Sequence, residues 1–201
     1  MKRVGVNPLV GIEIGKYVVN PFTLFIEPVE YDKKLYSRIV EEEVEFISPF
    51  NPIQNIKHSC SYYGCDYESK RKGTKLLIDY SRKLPIVIEP INGIYAFCTA
   101  SPYNVNCYWF FLNQIKDYRR ISAKQIVVIF HNGYSQTFPI SYNSFHSQFA
   151  KVLTLQNNLL QRVEHSRKKM FYLEKKPESP KASESNEFYS KDSKNSKDSK
   201  E

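Results

Sequence analysis

The sequence predicts an α+β fold, with a mainly antiparallel sheet, a short middle helix, a long C-terminal amphipathic helix and a disordered C-terminal tail. Short β-branched and aromatic runs recur between proline and glycine residues, as in antiparallel strands. An Asn-Gly pair separates two extended runs, and apolar residues recur at helical spacing after Ser141. The 201 residues, of which 41% are hydrophobic, are enough to bury the core of one domain.

Extended segments dominate between Tyr17 and Ile47. The run that begins at Phe22 is expected to end at Pro28, because proline interrupts strand patterns. The segment Arg38–Ile47 alternates in part between apolar and acidic residues, which predicts one half-exposed strand.

A short middle helix is predicted to begin after Asn51, which is a good N-cap and precedes Pro52 at the first helical position. Apolar residues follow at helical spacing, and Gly64 is expected to end this helix. The basic triplet Lys70-Arg71-Lys72 is therefore expected in a loop that leads to the next strand.

Four short β-branched or aromatic runs predict strands in the middle of the chain: Leu76–Ile78, Ile86–Ile88, Ile94–Phe97 and Cys107–Leu112. The clearest local signal is a hairpin over residues 126–138. Its Asn132-Gly133 pair predicts a type I′ turn, which needs positive φ at both central residues.

A long amphipathic helix is predicted from its N-cap Ser141 to the basic segment Arg167–Lys169, which suits the negative end of the helix dipole. Its apolar positions recur at spacings of three, four and seven residues. They are Phe145, Phe149, Val152, Leu153, Leu159, Leu160 and Val163. This stripe is expected to cover one face of the sheet, and pairing with another subunit is the alternative.

The composition changes after residue 174 to serine, lysine, aspartate and glutamate with few apolar residues. Such a segment cannot bury enough apolar surface to offset the entropy lost on ordering. Residues 175–201 are therefore predicted to form a disordered tail after a domain of residues 1–174. With seven basic and six acidic side chains, this tail is a poor ligand for nucleic acid.

The net charge of +8 is unevenly distributed along the chain. Residues 27–45 carry seven acidic and three basic side chains, whereas residues 46–174 carry sixteen basic and seven acidic ones. A basic core favours a polyanionic partner, although an anionic membrane surface would also satisfy it. No signal peptide and no apolar run long enough to cross a bilayer is evident, so a cytoplasmic protein without a membrane role is expected.

The segment Cys60–Thr74 combines three tyrosines with the basic triplet. Phosphates need cations, and bases and sugars need planar apolar surface, so this combination suits nucleic acid. A solvated basic loop beside a tyrosine-rich helix end is the structural alternative.

Metal binding and catalysis are not predicted. His58, Cys60 and Cys65 look like half a zinc site, but Cys98 and Cys107 are separated by eight residues and lack the short spacing of zinc modules. The four cysteines are expected to be reduced, buried thiols. No Gly-rich phosphate loop, HExxH or GxSxG motif occurs, so neither an enzyme nor a cofactor is expected.

Several further segments match the sequence pattern of a known protein family. They are Lys83–Ile86 with Pro90, Phe97 with Thr99, Cys107 with Trp109, and the hairpin leading to Pro139-Ile140-Ser141, followed by Tyr142–Phe145 and Gln148. Together with Cys60–Thr74, they resemble the ComK family of bacterial competence transcription factors, from about Tyr17 to about Arg162.

The resemblance implies a DNA-binding activator of genes for DNA uptake and recombination. Members of this family bind paired A/T-rich boxes of promoter DNA, largely from the minor groove, as a dimer or dimer of dimers. Because A-tracts have a narrow minor groove with strong negative potential, inserted Arg or Lys side chains are favoured there.

The basic residues supply the candidate contacts. Arg71, flanked by Lys70 and Lys72, is the first candidate for a groove-reading side chain. The candidates for phosphate contacts are Lys75, Arg82 and Lys83. Arg119 and Arg120, expected just before the first strand of the hairpin, form a candidate second patch.

The resemblance also implies regulation by an adaptor that delivers the protein to an ATP-dependent protease. The segment Met170, Phe171, Tyr172 and Leu173 loosely resembles the hydrophobic-aromatic motif that such an adaptor binds, although the order of residues differs. Its position next to the predicted tail makes it a candidate degradation signal.

A function from a different class is an RNA- or single-strand-binding regulatory module. In this alternative Tyr62, Tyr63 and Tyr67 stack on unpaired bases. A competition between duplex and single-stranded probes separates the two functions.

Overall fold

The computed structural model describes residues 11–174, and these residues confirm the α+β fold class with mainly antiparallel sheets and a long C-terminal helix. They fall into two compact units that divide between Val163 and Glu164, and the first unit contains all the strands. The predicted tail, residues 175–201, lies outside the described residues, so the boundary after residue 174 stays a prediction.

The described elements comprise ten strands, three α-helices and one short 3-10 helix. The strands are β1 (Ile12–Glu13), β2 (Thr23–Tyr31), β3 (Lys34–Glu41), β4 (Glu45–Ser48), β5 (Ile86–Glu89), β6 (Ile94–Cys98), β7 (Trp109–Phe111), β8 (Ile115–Ser122), β9 (Gln125–Phe130) and β10 (Ser135–Phe138). The helices are α1 (Pro52–Tyr62), α2 (Tyr67–Leu77) and α3 (Tyr142–Glu174), and the 3-10 helix is Leu112–Gln114.

The strands form two sheets. The larger sheet has the order β1-β4-β3-β2-β7-β6-β5, in which only the β1–β4 pair is parallel. The smaller sheet has the antiparallel order β10-β9-β8, so β8 is one of its edge strands.

The core lies on both faces of the larger sheet. On one face, Ile56 of α1 and Tyr67 of α2 share an apolar cluster with Trp109. On the other face, Phe110 shares a second cluster with residues of the smaller sheet and α3, and its ring centroid lies 5.1 Å from that of Phe145. Trp109 and Phe110 are successive residues of β7, so their side chains point to opposite faces of the sheet.

The β2–β3–β4 region differs from the prediction in two places. Pro28 lies inside β2 and does not end it. Within β2, only Phe25 and Ile26 pair with β7, so at Pro28 the strand has a partner on one side alone, where proline is tolerated. The segment Arg38–Ile47 belongs to two strands, because Glu42 and Glu43 form an exposed turn between the end of β3 at Glu41 and the start of β4 at Glu45.

The capping prediction for α1 is confirmed. The side chain of Asn51 accepts a hydrogen bond from the Gln54 amide, the Gln54 side chain accepts one from the Asn51 amide, and Pro52 occupies the first turn. Helix α1 ends before Gly64, whose φ of +80° lies in the region that favours glycine.

The loop predicted for the basic triplet is wrong, because these residues lie within α2. Asp66 caps the helix by accepting a hydrogen bond from the Ser69 amide at 3.0 Å. Lysine and arginine are good helix formers, and the burial of Tyr67 and Thr74 against the rest of the fold stabilises the helix that begins at this cap. The strand expected at Leu76–Ile78 is also absent from the described structure, because Leu76 and Leu77 end α2 and Ile78 is its C-cap.

The hairpin of residues 126–138 is confirmed, but its turn is not of type I′. Gly133 has a φ of +88°, whereas Asn132 does not have positive φ. The Phe130 amide donates to Tyr134 O and the Gly133 amide donates to Phe130 O, as in a three-residue loop with a glycine bulge. Arg119 and Arg120 precede the first hairpin strand, β9, as predicted, and they lie within a further strand, β8, that pairs with β9.

Helix α3 begins after Ser141 as predicted, since the hydroxyl of Ser141 accepts a hydrogen bond from the Ser144 amide at 3.3 Å. It continues to Glu174, beyond the predicted end at Lys169. The predicted stripe is only partly buried. Phe145, Val152 and the unpredicted Leu155 are fully buried, whereas Leu153, Leu160 and Val163 are exposed.

Candidate nucleic-acid interface

The helical geometry of α2 divides the basic triplet between two faces. Tyr67 and Thr74 are buried, and Lys70 lies on the same side, where its ammonium donates to the carbonyl of Ile88 in β5 at 2.9 Å. Arg71, four residues after Tyr67, lies beside this buried side, whereas Lys72 lies opposite it, and both are exposed. Lys70 therefore ties α2 to the sheet, and the other two cations face water.

The exposed face of α2 carries Arg71, Lys72 and Lys75, which lie three and four residues apart. Glu68 begins this face and accepts hydrogen bonds from Arg71 Nε at 2.8 Å and from the Tyr103 hydroxyl at 3.2 Å. The hydrogen bond from Arg71 holds the pKa of Glu68 below its ordinary value. No described side-chain hydrogen bond or ion pair engages Lys72 or Lys75, so both are available to phosphate.

A cleft of about 460 Å³ lies beside this helix face, and we call it the basic cleft. Three of the predicted cations line it: Arg71 from α2, and Arg82 and Lys83 from the loop before β5. Its remaining wall consists of Tyr67, Glu68, Ser81, Ser101, Pro102 and Tyr103. The fold therefore brings together basic residues that lie in separate parts of the sequence.

Hydrogen bonds to backbone carbonyls hold the loop that carries Arg82 and Lys83. The Lys83 ammonium donates to Thr99 O at 3.2 Å, and the Lys151 ammonium donates to Arg82 O at 3.0 Å. Lys83 also has a φ of +49°, which is uncommon for a residue with a side chain. These contacts fix the backbone from which the Arg82 side chain projects.

Lys57 of α1 adds a cation that the sequence did not single out. Its ammonium lies 5.0 Å from the ring centroid of Tyr103 and 5.9 Å from that of Tyr67. Both tyrosines line the basic cleft, so Lys57 adds positive charge next to it. A single lysine on a helix gives no sequence signal of this placement.

Arg119 and Arg120 form a second basic site on the edge strand β8. Arg119 Nε donates to Asp117 at 2.8 Å. The Arg120 guanidinium donates to Asn143 at 3.2 Å and lies 5.2 Å from the ring centroid of Tyr142 in α3. Among the described residues, no contact joins these arginines to the basic cleft, so the predicted cations form two separate sites.

The three tyrosines of the alternative function do not form a stacking surface. Tyr67 is 3% exposed and packs against Trp109 with ring centroids 6.4 Å apart. The Tyr63 hydroxyl donates to Val19 O at 3.1 Å. Only Tyr62 of the three is highly exposed, and its ring packs edge-on against that of Tyr63. This geometry does not favour binding of unpaired bases at this segment.

Within residues 11–174, no group of three or more His, Cys, Asp or Glu side chains could hold a metal ion. The four cysteines are free thiols; Cys60, Cys98 and Cys107 are buried as expected, whereas Cys65 is only partly buried. Burial raises the pKa of Cys60 to about 12. No helix in this part of the chain is sufficiently long and apolar to span a membrane.

The candidate adaptor motif lies in the last turns of α3, in the second unit. Met170 and Phe171 are exposed there, and the backbone of Tyr172 and Leu173 continues the helix. The motif is therefore helical in the described structure.

The fold and the two basic sites define an α+β protein whose surface suits a polyanionic partner. The family described as ComK protein matches residues 14–164, and the chain belongs to this family. A relative from Bacillus subtilis (strain 168), named competence transcription factor, is 32% identical over 152 residues, which cover 76% of this chain and 79% of the relative. No solved structure matches the chain.

The family match confirms the resemblance that was predicted from the sequence. The family is one of transcription factors, which also confirms the prediction that the chain is not an enzyme.

Proposed function

We propose that this protein is a sequence-specific activator of competence genes, which acts in the cytoplasm on paired A/T-rich promoter boxes. It binds them mainly through the minor groove, as a dimer or a dimer of dimers. Family membership and the name of its relative support this function. The observation that carries it is the convergence of Arg71, Arg82 and Lys83 at the basic cleft. Beside the cleft lie Lys72 and Lys75, which have no side-chain partner within residues 11–174.

In this proposal Arg71 reads the groove. It lies on the exposed face of α2, and a guanidinium gains most from the strong negative potential of a narrow A-tract minor groove. Its ion pair with Glu68 is about half exposed, so water already weakens the pair and DNA can displace the carboxylate.

The remaining cations set the position of the protein on DNA. Lys72, Lys75, Arg82 and Lys83 contact phosphates on either side of the groove, which gives affinity without reading sequence. Lys70 stabilises this interface indirectly, because its hydrogen bond to Ile88 O holds α2 against β5.

Arg119 and Arg120 supply a second phosphate contact on β8. Their separation from the basic cleft suits a protein that touches DNA at two places, as expected when several copies occupy paired boxes. The exposed edge of β8 makes both guanidinium groups accessible.

Fluorescence anisotropy across a salt series tests this function. The probe is a duplex with two phased A-tract boxes, and a G·C-rich duplex, a single strand and a minor-groove drug serve as competitors. We expect preference for the A/T duplex, loss of affinity with salt and displacement by the drug. Equal binding to all duplexes, or preference for the single strand, would overturn the proposal.

Variants locate the interface in the same assay. Neutralising Arg71, Lys72 and Lys75 together should lower the slope of log affinity against log salt concentration. The expected decrease is the equivalent of about two to three phosphate contacts. Lys34→Gln, a single exposed cation on β3, is a control that should leave it unchanged. Analytical ultracentrifugation with and without the two-box duplex measures the number of copies bound.

Residues 170–173 are proposed as a signal for adaptor-directed proteolysis. The exposure of Met170 and Phe171 supports this role. Removal of residues 170–201 should lengthen the half-life of the protein in cells, and an unchanged half-life would contradict the role.

A further inference from the structure

The basic cleft has the size of a site for a small molecule. Its volume of about 460 Å³ lies within the range of about 300–1,000 Å³ that is typical of ligand pockets. Such a volume accommodates a ligand much smaller than a DNA duplex.

The charges of the cleft select an anion. Arg71, Arg82 and Lys83 line it against the single carboxylate of Glu68. Arg71 uses Nε for Glu68, and its Nη groups have no acceptor among the described residues. Lys83 uses one of its three ammonium protons for Thr99 O. Several charge-assisted donors thus remain for one phosphate group.

The aromatic wall selects a planar ring attached to that anion. Tyr103 is 64% exposed at the cleft, and its ring is polarised by the Lys57 ammonium 5.0 Å from its centroid. An exposed tyrosine ring next to several cations is the arrangement on which nucleobases stack.

The carboxylate of Glu68 suits a ligand that also carries hydroxyl groups. Glu68 lines the cleft and accepts hydrogen bonds from Arg71 Nε and from the Tyr103 hydroxyl, and a carboxylate has lone pairs for further donors. A ribose attached to the phosphate supplies such hydroxyl donors.

We propose that the basic cleft binds a nucleoside phosphate as a regulatory ligand. Arg71, Arg82 and Lys83 hold the phosphates, the Tyr103 ring stacks on the base, and Glu68 accepts from the ribose. The ligand occupies cations that the proposed function assigns to DNA, so it competes with the promoter. The binding site itself does not depend on that function, because it is complete in the DNA-free protein.

Isothermal titration calorimetry on the full, DNA-free chain tests this proposal. The probe is ADP, and adenosine and pyrophosphate represent its two halves. We expect ADP to bind with a Kd below about 1 mM and each half to bind at least about tenfold more weakly. Binding of pyrophosphate as tight as that of ADP, or no heat with ADP at millimolar concentration, would overturn the proposal.

Three variants locate the site. Arg82→Gln and Tyr103→Ala should each weaken ADP binding by about tenfold, whereas Tyr103→Phe keeps the ring and should weaken it less. Both positions are exposed, so circular dichroism melts should show folded variants. Lys34→Gln, an exposed cation of β3 outside both basic sites, is the charge control, and an equal loss in that variant would mean diffuse attraction and contradict a cleft site.

Parallel anisotropy with the A/T duplex separates this proposal from the proposed function. Duplex binding without ADP binding rejects the cleft ligand and keeps the DNA-binding function. ADP binding without duplex binding does the reverse. Binding of both, with ADP raising the apparent Kd for the duplex, supports both and establishes competition.

Discussion

Arg71 donates a hydrogen bond of 2.8 Å to the carboxylate of Glu68, one turn earlier in α2. The same carboxylate accepts from the Tyr103 hydroxyl, so it joins the helix to the opposite wall of the basic cleft. In the free protein, Glu68 therefore partly neutralises the arginine that we propose for groove reading. Any polyanion that binds there competes with this internal carboxylate.

Replacing Glu68 with glutamine should raise the affinity for an A/T-rich duplex about two- to fivefold at low salt, because one negative charge leaves the interface. Fluorescence anisotropy measures the change. Glu164→Gln breaks a similar exposed pair with Lys168 at 2.8 Å and should leave the affinity unchanged. Unchanged or weaker binding by E68Q would argue against a DNA contact at Arg71.

Lys70 and Lys72 provide a test of which face of α2 meets DNA. Lys70→Gln should lower the free energy of unfolding by about 1 kcal/mol, since the carbonyl of Ile88 loses its donor, and should change DNA affinity little. Lys72→Gln should leave stability unchanged and remove about one phosphate contact from the salt dependence.

Urea titrations give the free energy of unfolding of each lysine variant, and fluorescence anisotropy gives the affinity of each variant for DNA. If K70Q lost DNA affinity as steeply as K72Q while keeping its stability, the triplet would behave as a flexible loop. That result would contradict the assignment of the two faces.

Local sequence signals predicted those elements that are determined locally. The Asn51 cap, the start of α3 after Ser141 and the hairpin at Asn132-Gly133 each depend on a few adjacent residues, and each is confirmed. Helix α2 was not predicted because only Tyr67 and Thr74 of its residues are buried, so the segment shows no apolar periodicity. Without that periodicity, Asp66 was not recognised as an N-cap. Strand β8 was missed for a related reason, since most of its side chains are exposed.

The basic cleft could be predicted only in part. The sequence supplied Arg71, Arg82 and Lys83 as candidates, but it contains no signal that these residues share one cavity with Tyr103. Their proximity arises from the packing of α2 beside β5 and from the loop between β6 and β7. Contacts between residues far apart in the chain depend on tertiary structure, which a pattern of adjacent residues does not encode.

Two buried tyrosines should respond in opposite ways to loss of the hydroxyl. The Tyr17 hydroxyl lies 2.6 Å from Thr23 Oγ1 and donates to Glu41, whereas the Tyr67 hydroxyl has no partner among the described residues. Tyr17→Phe should lower the free energy of unfolding by about 1–3 kcal/mol, because it leaves buried groups unpaired. Tyr67→Phe should keep it or raise it by up to about 1 kcal/mol.

Urea denaturation at neutral pH measures both changes. Since each substitution keeps the ring, loss of packing does not obscure the comparison. A loss in Y67F as large as that in Y17F would mean that an ordered water or another group satisfies the Tyr67 hydroxyl.

The stability of the protein should fall as the pH rises above about 9. Burial raises the pKa of Cys60 from 9.0 to about 12, and it also raises the pKa values of Tyr17 and Tyr67 well above 10.0. Between the unfolded and folded pKa values, the unfolded chain releases protons that the folded protein retains. Each such group then lowers the free energy of unfolding by up to about 1.4 kcal/mol per pH unit.

Urea titrations from about pH 8 to about pH 10.5 should therefore show a decline that begins with Cys60 and steepens as the tyrosines ionise in the unfolded chain. Tyr67→Phe removes one of these protons, so its stability should fall less steeply than that of the wild-type protein above about pH 10. Glu164→Gln changes a charge that does not titrate in this range and controls for net charge. Equal slopes for Y67F and wild type would show that Tyr67 ionises in the folded protein, and that its hydroxyl is open to solvent.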